Sequence, residues 1–369
     1  MDSPRISRRL FVQGIGVVSL SFSGCEVSPS PSSPLTVGGS PFEMGPYPVL
    51  EAELGIPLPA EIPVELFDVE VFDGCPGDPP FMYTPPNPIP AMMYYPNPEQ
   101  TNGTAALVIF GHALRPLYCN DNPNADPTLL DNTQDFKRYT DMLTHLASHG
   151  CVVVIPDLSW LTKQSGVSGL EMRADVLVAV WKHFVNNGGA LPLNGNLIPE
   201  KVDPSRVMLA GHSTGAAACF RARARLVSAG GPDAVAIGAL TPAAAQSALD
   251  IVDAPPSYGL LVMKGTQDTQ QGANPDDVFN MGGQNRRVLV TLDGGNHFGF
   301  THLCAPNGCF FVADNPCLFG PDRQKDIGGA YLAAMMRRFA YNDLAMNQSL
   351  TQSPQNEPDV IVVASPTSW

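Results

Sequence analysis

The residue types best suited to covalent chemistry in this 369-residue chain are Gly211-His212-Ser213-Thr214-Gly215, directly after the apolar run from Val207 to Ala210. A serine at the tip of a tight strand-to-helix turn holds strained dihedrals, and the turn closes only if its neighbours lack bulk. Gly211 and Gly215 supply that room. Such a turn lifts Ser213 Oγ above the sheet edge and aims the first N–H groups of the next helix, beginning with Thr214, at the same point, where a developing negative charge is stabilised. A hydroxyl is a weak nucleophile at neutral pH, so it needs a base, and the base needs an orienting carboxylate. Asp268 follows the strand-like GLLVMKG and His297 follows VLVTLDGG, so Ser, Asp and His come in that order, each beyond a different strand.

Other residues compete for these roles. Asp276 and Asp277 are alternative acids, although their polar run QQGANPDD reads as a solvated loop; His302 is an alternative base or a pocket residue. His212, next to the serine, is a candidate substrate contact, with a pocket-wall role as its plainer reading. His145, His149 and His183 fall on predicted helices as packing or surface groups. A second oxyanion donor is expected from the loop Gly111-His112-Ala113-Leu114-Arg115 after the run LVIF.

These residues need a sheet to hold them. From about residue 60, short β-branched runs alternate with segments of helical spacing. Val64 to Val71 and Met92 to Tyr95 suit an antiparallel opening. Leu107 to Phe110, Val152 to Ile155, Val207 to Ala210, Val235 to Leu240, Leu260 to Met263 and Val288 to Leu292 read as buried strands. Phe136, Tyr139, Met142, Leu143 and Leu146 mark one face of a helix; further helices are read over 172–184 and 327–339. This alternation predicts an α/β fold, a mostly parallel sheet with helices on both faces, as one domain over 46–345. The polar, Pro-punctuated segment 346–369 reads as a tail, within which Val360 to Val363 can add an edge strand.

The composition excludes several classes. With 44% hydrophobic and 15% charged residues the chain is not disordered as a whole. A net charge of −14 repels phosphate backbones, so nucleic acid is not an expected partner. No CxxC or HExxH spacing occurs, so no metal and no cofactor is expected. Residues 1–25 carry Arg8-Arg9 and an apolar segment too short to span a bilayer comfortably, which resembles a twin-arginine export signal. It ends at Phe22-Ser23-Gly24-Cys25, which resembles a lipobox with Cys25 as the acylated residue. The Ser/Pro-rich stretch 26–45 then reads as a tether. An exported, monomeric protein touching membrane only through that anchor is the expectation. Export permits disulfides among the loop residues Cys75, Cys119, Cys304, Cys309 and Cys317, whose pairing the spacing leaves open, whereas Cys151 and Cys219 read as buried thiols.

The segments LVIFGHAL, LASHGCVVVIPD, VDPSRVMLAGHSTG, KGTQD and GGNHFGF resemble the α/β-hydrolase branch that holds platelet-activating-factor acetylhydrolases, chlorophyllases and bacterial cutinase-like polyester hydrolases. GPYPV at 45–49 is similar to the mature start of the cutinase-like members. The resemblance implies Ser213 as nucleophile, Asp268 as acid, His297 as base and Thr214 as an oxyanion donor. Its two known oxyanion turns point respectively to Leu114 and to His112 as the second donor. The chain departs from the pattern at Ala113 and Ala216, where most members carry Gly. The Pro/Asn-rich stretch from Arg115 to Asn132 and the cysteine-bearing stretch from Phe298 to Pro321 look peculiar to this chain and are expected to form a lid or pocket rim. The expected activity is hydrolysis of carboxylic esters through an acyl-enzyme, of the lipase, cutinase or polyesterase type. The alternatives are an amidase or peptidase using the same three residues, and a non-catalytic surface lipoprotein.

Overall fold

The computed structural model describes residues 39–62, 66–67, 82–83, 85–113, 135–161, 166–193, 196–198, 201–243, 258–270, 274–282, 286–301, 304–305, 308–309, 315, 317–365 and 369. Its main sheet holds nine strands: β1 (Val49–Ile56), β2 (Ile89–Pro96), β3 (Ala105–Gly111), β4 (Cys151–Pro156), β5 (Val202–His212), β6 (Ala236–Leu240), β7 (Gly259–Gly265), β8 (Arg286–Leu292) and β9 (Val360–Ala364). They lie in the order β1-β2-β4-β3-β5-β6-β7-β8-β9. Strands β3 to β8 run parallel. The strands β1, β2 and β9 at the sheet's margins pair antiparallel.

Helices α1 (Thr140–Ser148), α2 (Gly166–Asn186), α3 (Thr214–Ser228), α4 (Asn274–Met281), α5 (Pro321–Ala340) and α6 (Met346–Thr351) complete the fold. Leu107, Ile109, Val152, Val154 and Leu209 pack with α2 and α3 on one face of the sheet. Their sequence neighbours Ala106, Val108, Val153 and Met208 pack with α1 and α5 on the other. Because both sides of the pleat are covered, the central strands are continuous apolar runs rather than alternating ones. Strands β3 and β5 lead to α1 and α3 on opposite faces of the sheet, and the crevice at their carboxyl ends is where such sheets place ligands.

Three expectations change. The first sheet strand is Val49–Ile56; of the stretch from Val64 to Val71 only Leu66–Phe67 is described, paired with Met82–Tyr83 outside the main sheet. The stretch holding Asp276 and Asp277 is not a loop but helix α4, where Lys264 Nζ binds both Asp276 oxygens at 2.6 and 2.7 Å. The segment beyond 345 is not only a tail: the edge strand expected at Val360 to Val363 forms as β9, paired with β8 over Val360–Ala364, and Val360 is buried. Arg8, Arg9 and Cys25 lie outside the described residues. Among those described, no helix is long and apolar enough to cross a membrane.

Residues 39–47 are fastened across the amino-terminal end of β4. Arg337 donates to Gly39 O (2.7 Å), His145 Nε2 to Pro41 O (2.8 Å) and His149 Nε2 to Glu43 O (3.0 Å). Ser148 Oγ accepts the Gly45 N–H at 2.7 Å. Burial, with the neighbouring charges of His145 and Arg337, pushes His149 down to about 4 against the opposing Glu43 carbonyl. In the unfolded chain an imidazole titrates near 6.5, so between about pH 6.5 and 4 the unfolded state takes a proton that the folded state refuses. Stability from this residue is therefore complete above that window and is lost as the pH falls through it, by up to about 3 kcal/mol. Melting curves from pH 7 to 4.5 should fall less steeply for His149→Gln than for the parent; parallel pH dependences would show that His149 is not responsible.

Candidate active site

Ser213 is the residue between β5 and α3, with φ +56° and ψ −122°. No β-carbon rests easily there, and the surrounding main chain holds the conformation. The Ser213 N–H donates to Leu240 O (2.9 Å), and its carbonyl accepts from Ala217 (3.1 Å) and Ala243 (3.2 Å). That N–H is committed to β6, and Thr214 is the first residue of α3. The turn needs more than the two glycines flanking it. A β-carbon on Gly215 would lie 2.1 Å from Gly111 O and 2.5 Å from His112 O, and one on Gly211 would lie 2.6 Å from Gly215 C. Gly111, expected as part of the oxyanion loop, also lets the end of β3 touch the start of α3.

The same device operates at the neighbouring strand ends. A β-carbon on Gly265 would lie 2.1 Å from Gly295 O, so the turns after β7 and β8 are in main-chain contact. Gln267 N–H donates to Gly295 O at 2.8 Å. These turns deliver Asp268 and His297, whose Oδ2 and Nδ1 are 3.0 Å apart with side chains 4% and 3% exposed. Asp268 Oδ1 also accepts the Gln270 N–H at 2.9 Å. A carboxylate on Nδ1 keeps the proton on that nitrogen and leaves the Nε2 lone pair for accepting a proton.

The residue before His297 is held by Gln324 of α5. Gln324 Nε2 donates to Asn296 O (2.7 Å) while its Oε1 accepts the Asn296 N–H (3.1 Å), and Asn296 Oδ1 accepts the Gly299 N–H (2.8 Å). Nothing in the local sequence around Gln324 marks it, because its partner lies on another loop. The His297 ring centroid is 4.8 Å from that of His212, the residue joined to Ser213.

His212 does not face outward as a substrate contact. It is 0% exposed, packed against Tyr139, His297 and Phe300, with Nδ1 2.8 Å from Tyr139 Oη. Burial, then the charge of His297, holds its imidazole well below the ordinary histidine range, opposed by the His297 main chain and helped by His112. The His112 ring is structural as well: Nε2 accepts the Leu158 N–H (2.7 Å), so Nδ1 donates to Ala113 O (2.8 Å). Ala113 N–H is taken by Tyr139 Oη (3.2 Å). Leu114, His302 and the stretch 115–132 lie outside the described residues, as do Cys75 and Cys119. Cys151 and Cys219 are buried thiols as expected, and Cys304 and Cys309 stand opposite each other in a two-stranded ribbon.

Residues 130–246, about a third of the chain, match the model of the family described as Chlorophyllase. The match runs from before α1 to just past β6 and includes the Ser213 turn. A comparison with curated proteins returns no match. Sheet, helices and family match together show that the chain has the α/β-hydrolase fold and is similar, over its central third, to the chlorophyllase family of hydrolases.

Proposed function

We propose that the chain is a serine hydrolase of carboxylic esters, with Ser213 as nucleophile, His297 as base and Asp268 as the carboxylate that orients it. The observation that carries this reading is the buried Asp268–His297 hydrogen bond on turns adjoining a serine held at φ +56°. In the reaction His297 Nε2 takes the Ser213 proton as Oγ attacks the ester carbon. The carbonyl oxygen becomes an oxyanion facing the Thr214 N–H and a second N–H from the main chain after β3, either His112 or Leu114. Collapse expels the alcohol, which leaves with the proton from His297. Water, deprotonated by the same nitrogen, then attacks the acyl-enzyme and releases the acid. Asp268 stabilises the imidazolium in both halves.

An amide would need the same residues but a poorer leaving group. A panel of p-nitrophenyl esters graded by acyl length, a matched anilide and a polyester film should show turnover of esters well above the anilide. Covalent labelling by a fluorophosphonate is expected alongside. Anilide turnover equal to ester turnover would move the assignment to an amidase, and absent labelling with no turnover would leave a binding scaffold.

A further inference from the structure

The mechanism leaves one buried polar system unused. Ala113 N–H donates to Tyr139 Oη at 3.2 Å, and Tyr139 Oη lies 2.8 Å from His212 Nδ1. Tyr139 itself sits just before α1, buried, with its ring 5.0 Å from that of Phe110 on β3. These contacts join the main chain after β3, where the second oxyanion donor must come from, to the residue that precedes the nucleophile. The His212 ring, 4.8 Å from that of His297, extends the connection to the base.

The protons can be assigned. A phenol has one O–H and accepts through oxygen. With Ala113 donating to Oη, the hydroxyl proton goes to His212 Nδ1, which leaves the ring proton on Nε2. That nitrogen is buried and has no hydrogen-bond partner among the described residues, while the His297 main chain acts on the ring in the sense that favours a proton. The imidazole is thus a neutral spacer with a defined acceptor side and donor side, seated between three loop ends.

Resting on the serine-esterase reading, we propose that Tyr139 is a positioning residue whose hydroxyl couples the oxyanion loop after β3 to His212, and so sets the separation of the two oxyanion donors. Those donors must sit within a few tenths of an ångström of the place where the oxyanion forms, and a displacement of about 1 Å costs on the order of 100-fold in rate. The ground-state ester gains little from that geometry, so the coupling acts on kcat rather than on KM.

Tyr139→Phe keeps the ring and removes the hydroxyl. With a soluble p-nitrophenyl ester and active sites counted by fluorophosphonate titration, kcat should fall about 10- to 100-fold with KM within about twofold of the parent. Affinity for an alkyl trifluoromethyl ketone, whose serine hemiketal places an oxyanion in the same position, should weaken by the same factor. A lowered melting temperature with kcat per titrated site and ketone affinity unchanged would overturn the coupling. If Tyr139→Phe yields no folded protein, His212→Asn and His212→Leu make the same comparison. The Asn keeps an acceptor for the hydroxyl and should retain ketone affinity that Leu loses, and equal affinities would overturn the proposal. A parent protein that neither labels nor turns over ester would refute the esterase reading itself; an active parent with an unaltered Tyr139→Phe refutes the coupling alone.

Discussion

Replacing Ser213 by glycine should abolish ester hydrolysis and at the same time raise the melting temperature above that of Ser213→Ala. The loss of rate follows from removing the nucleophile and is expected to be about 10⁴- to 10⁶-fold. The stability difference follows from the backbone. Ser213 holds φ +56° and ψ −122°, a conformation that costs a residue with a β-carbon roughly 1–3 kcal/mol. Alanine keeps that cost, whereas glycine removes it and gives back part through the greater freedom of its unfolded chain. A net gain of about 1 kcal/mol is expected, read as a melting temperature about 1–3 °C higher for the glycine variant. Activity above a hundredth of the parent in either variant would reassign the nucleophile. A glycine variant less stable than the alanine one would mean that the turn stores no strain.

The second large effect is expected at Gly215. A methyl group there meets only main chain: Gly111 O at 2.1 Å, Gly111 C at 2.4 Å and His112 O at 2.5 Å. None of these is the far end of a flexible side chain, so accommodation requires the end of β3 and the start of α3 to part. Gly215→Ala should destabilise by about 2–4 kcal/mol, and in whatever folds should lower kcat per titrated site at least about 100-fold, because the two proposed oxyanion donors lie on the parted segments. Gly230→Ala is the control. That glycine has φ +77° but open space around its β-carbon position, so it should lose only the roughly 1 kcal/mol of a left-handed residue and leave kcat unchanged. Equal effects at the two positions would show that the main chain facing Gly215 gives way cheaply and that the collision does not matter.

The parallel core was legible because its strands are buried on both faces and therefore read as unbroken apolar runs. The strand β1 was not read, although Leu50, Ala52 and Leu54 alternate with exposed Glu51 and Glu53 as on an edge where one side meets water. Its register with β2, from Val49 opposite Pro96 to Ile56 opposite Ile89, is what no local pattern announces. The strand β9 was legible as an apolar run, Val360 to Val363, within polar, proline-punctuated sequence, and its pairing with β8 was not. Ser213, Asp268 and His297 stood out because each follows a recognisable strand. Tyr139 and Gln324 did not, because their roles come from contacts made far along the chain; Tyr139 and His212 are 73 residues apart. Helical spacing marks Tyr139 as core, and only the fold reveals which polar groups its hydroxyl meets.

The fastening of residues 39–47 gives the molecule a front and a back. Gly45 and Tyr47 bind Ser148 at the foot of β4, whereas Ser213 stands at the head of β5, beyond the opposite ends of the parallel strands. A pull on Gly39 therefore falls on α1 and α5 at the base of the sheet. A pull of that kind loads the hydrogen bonds of Arg337, His145 and His149 before it reaches any strand end that bears chemistry.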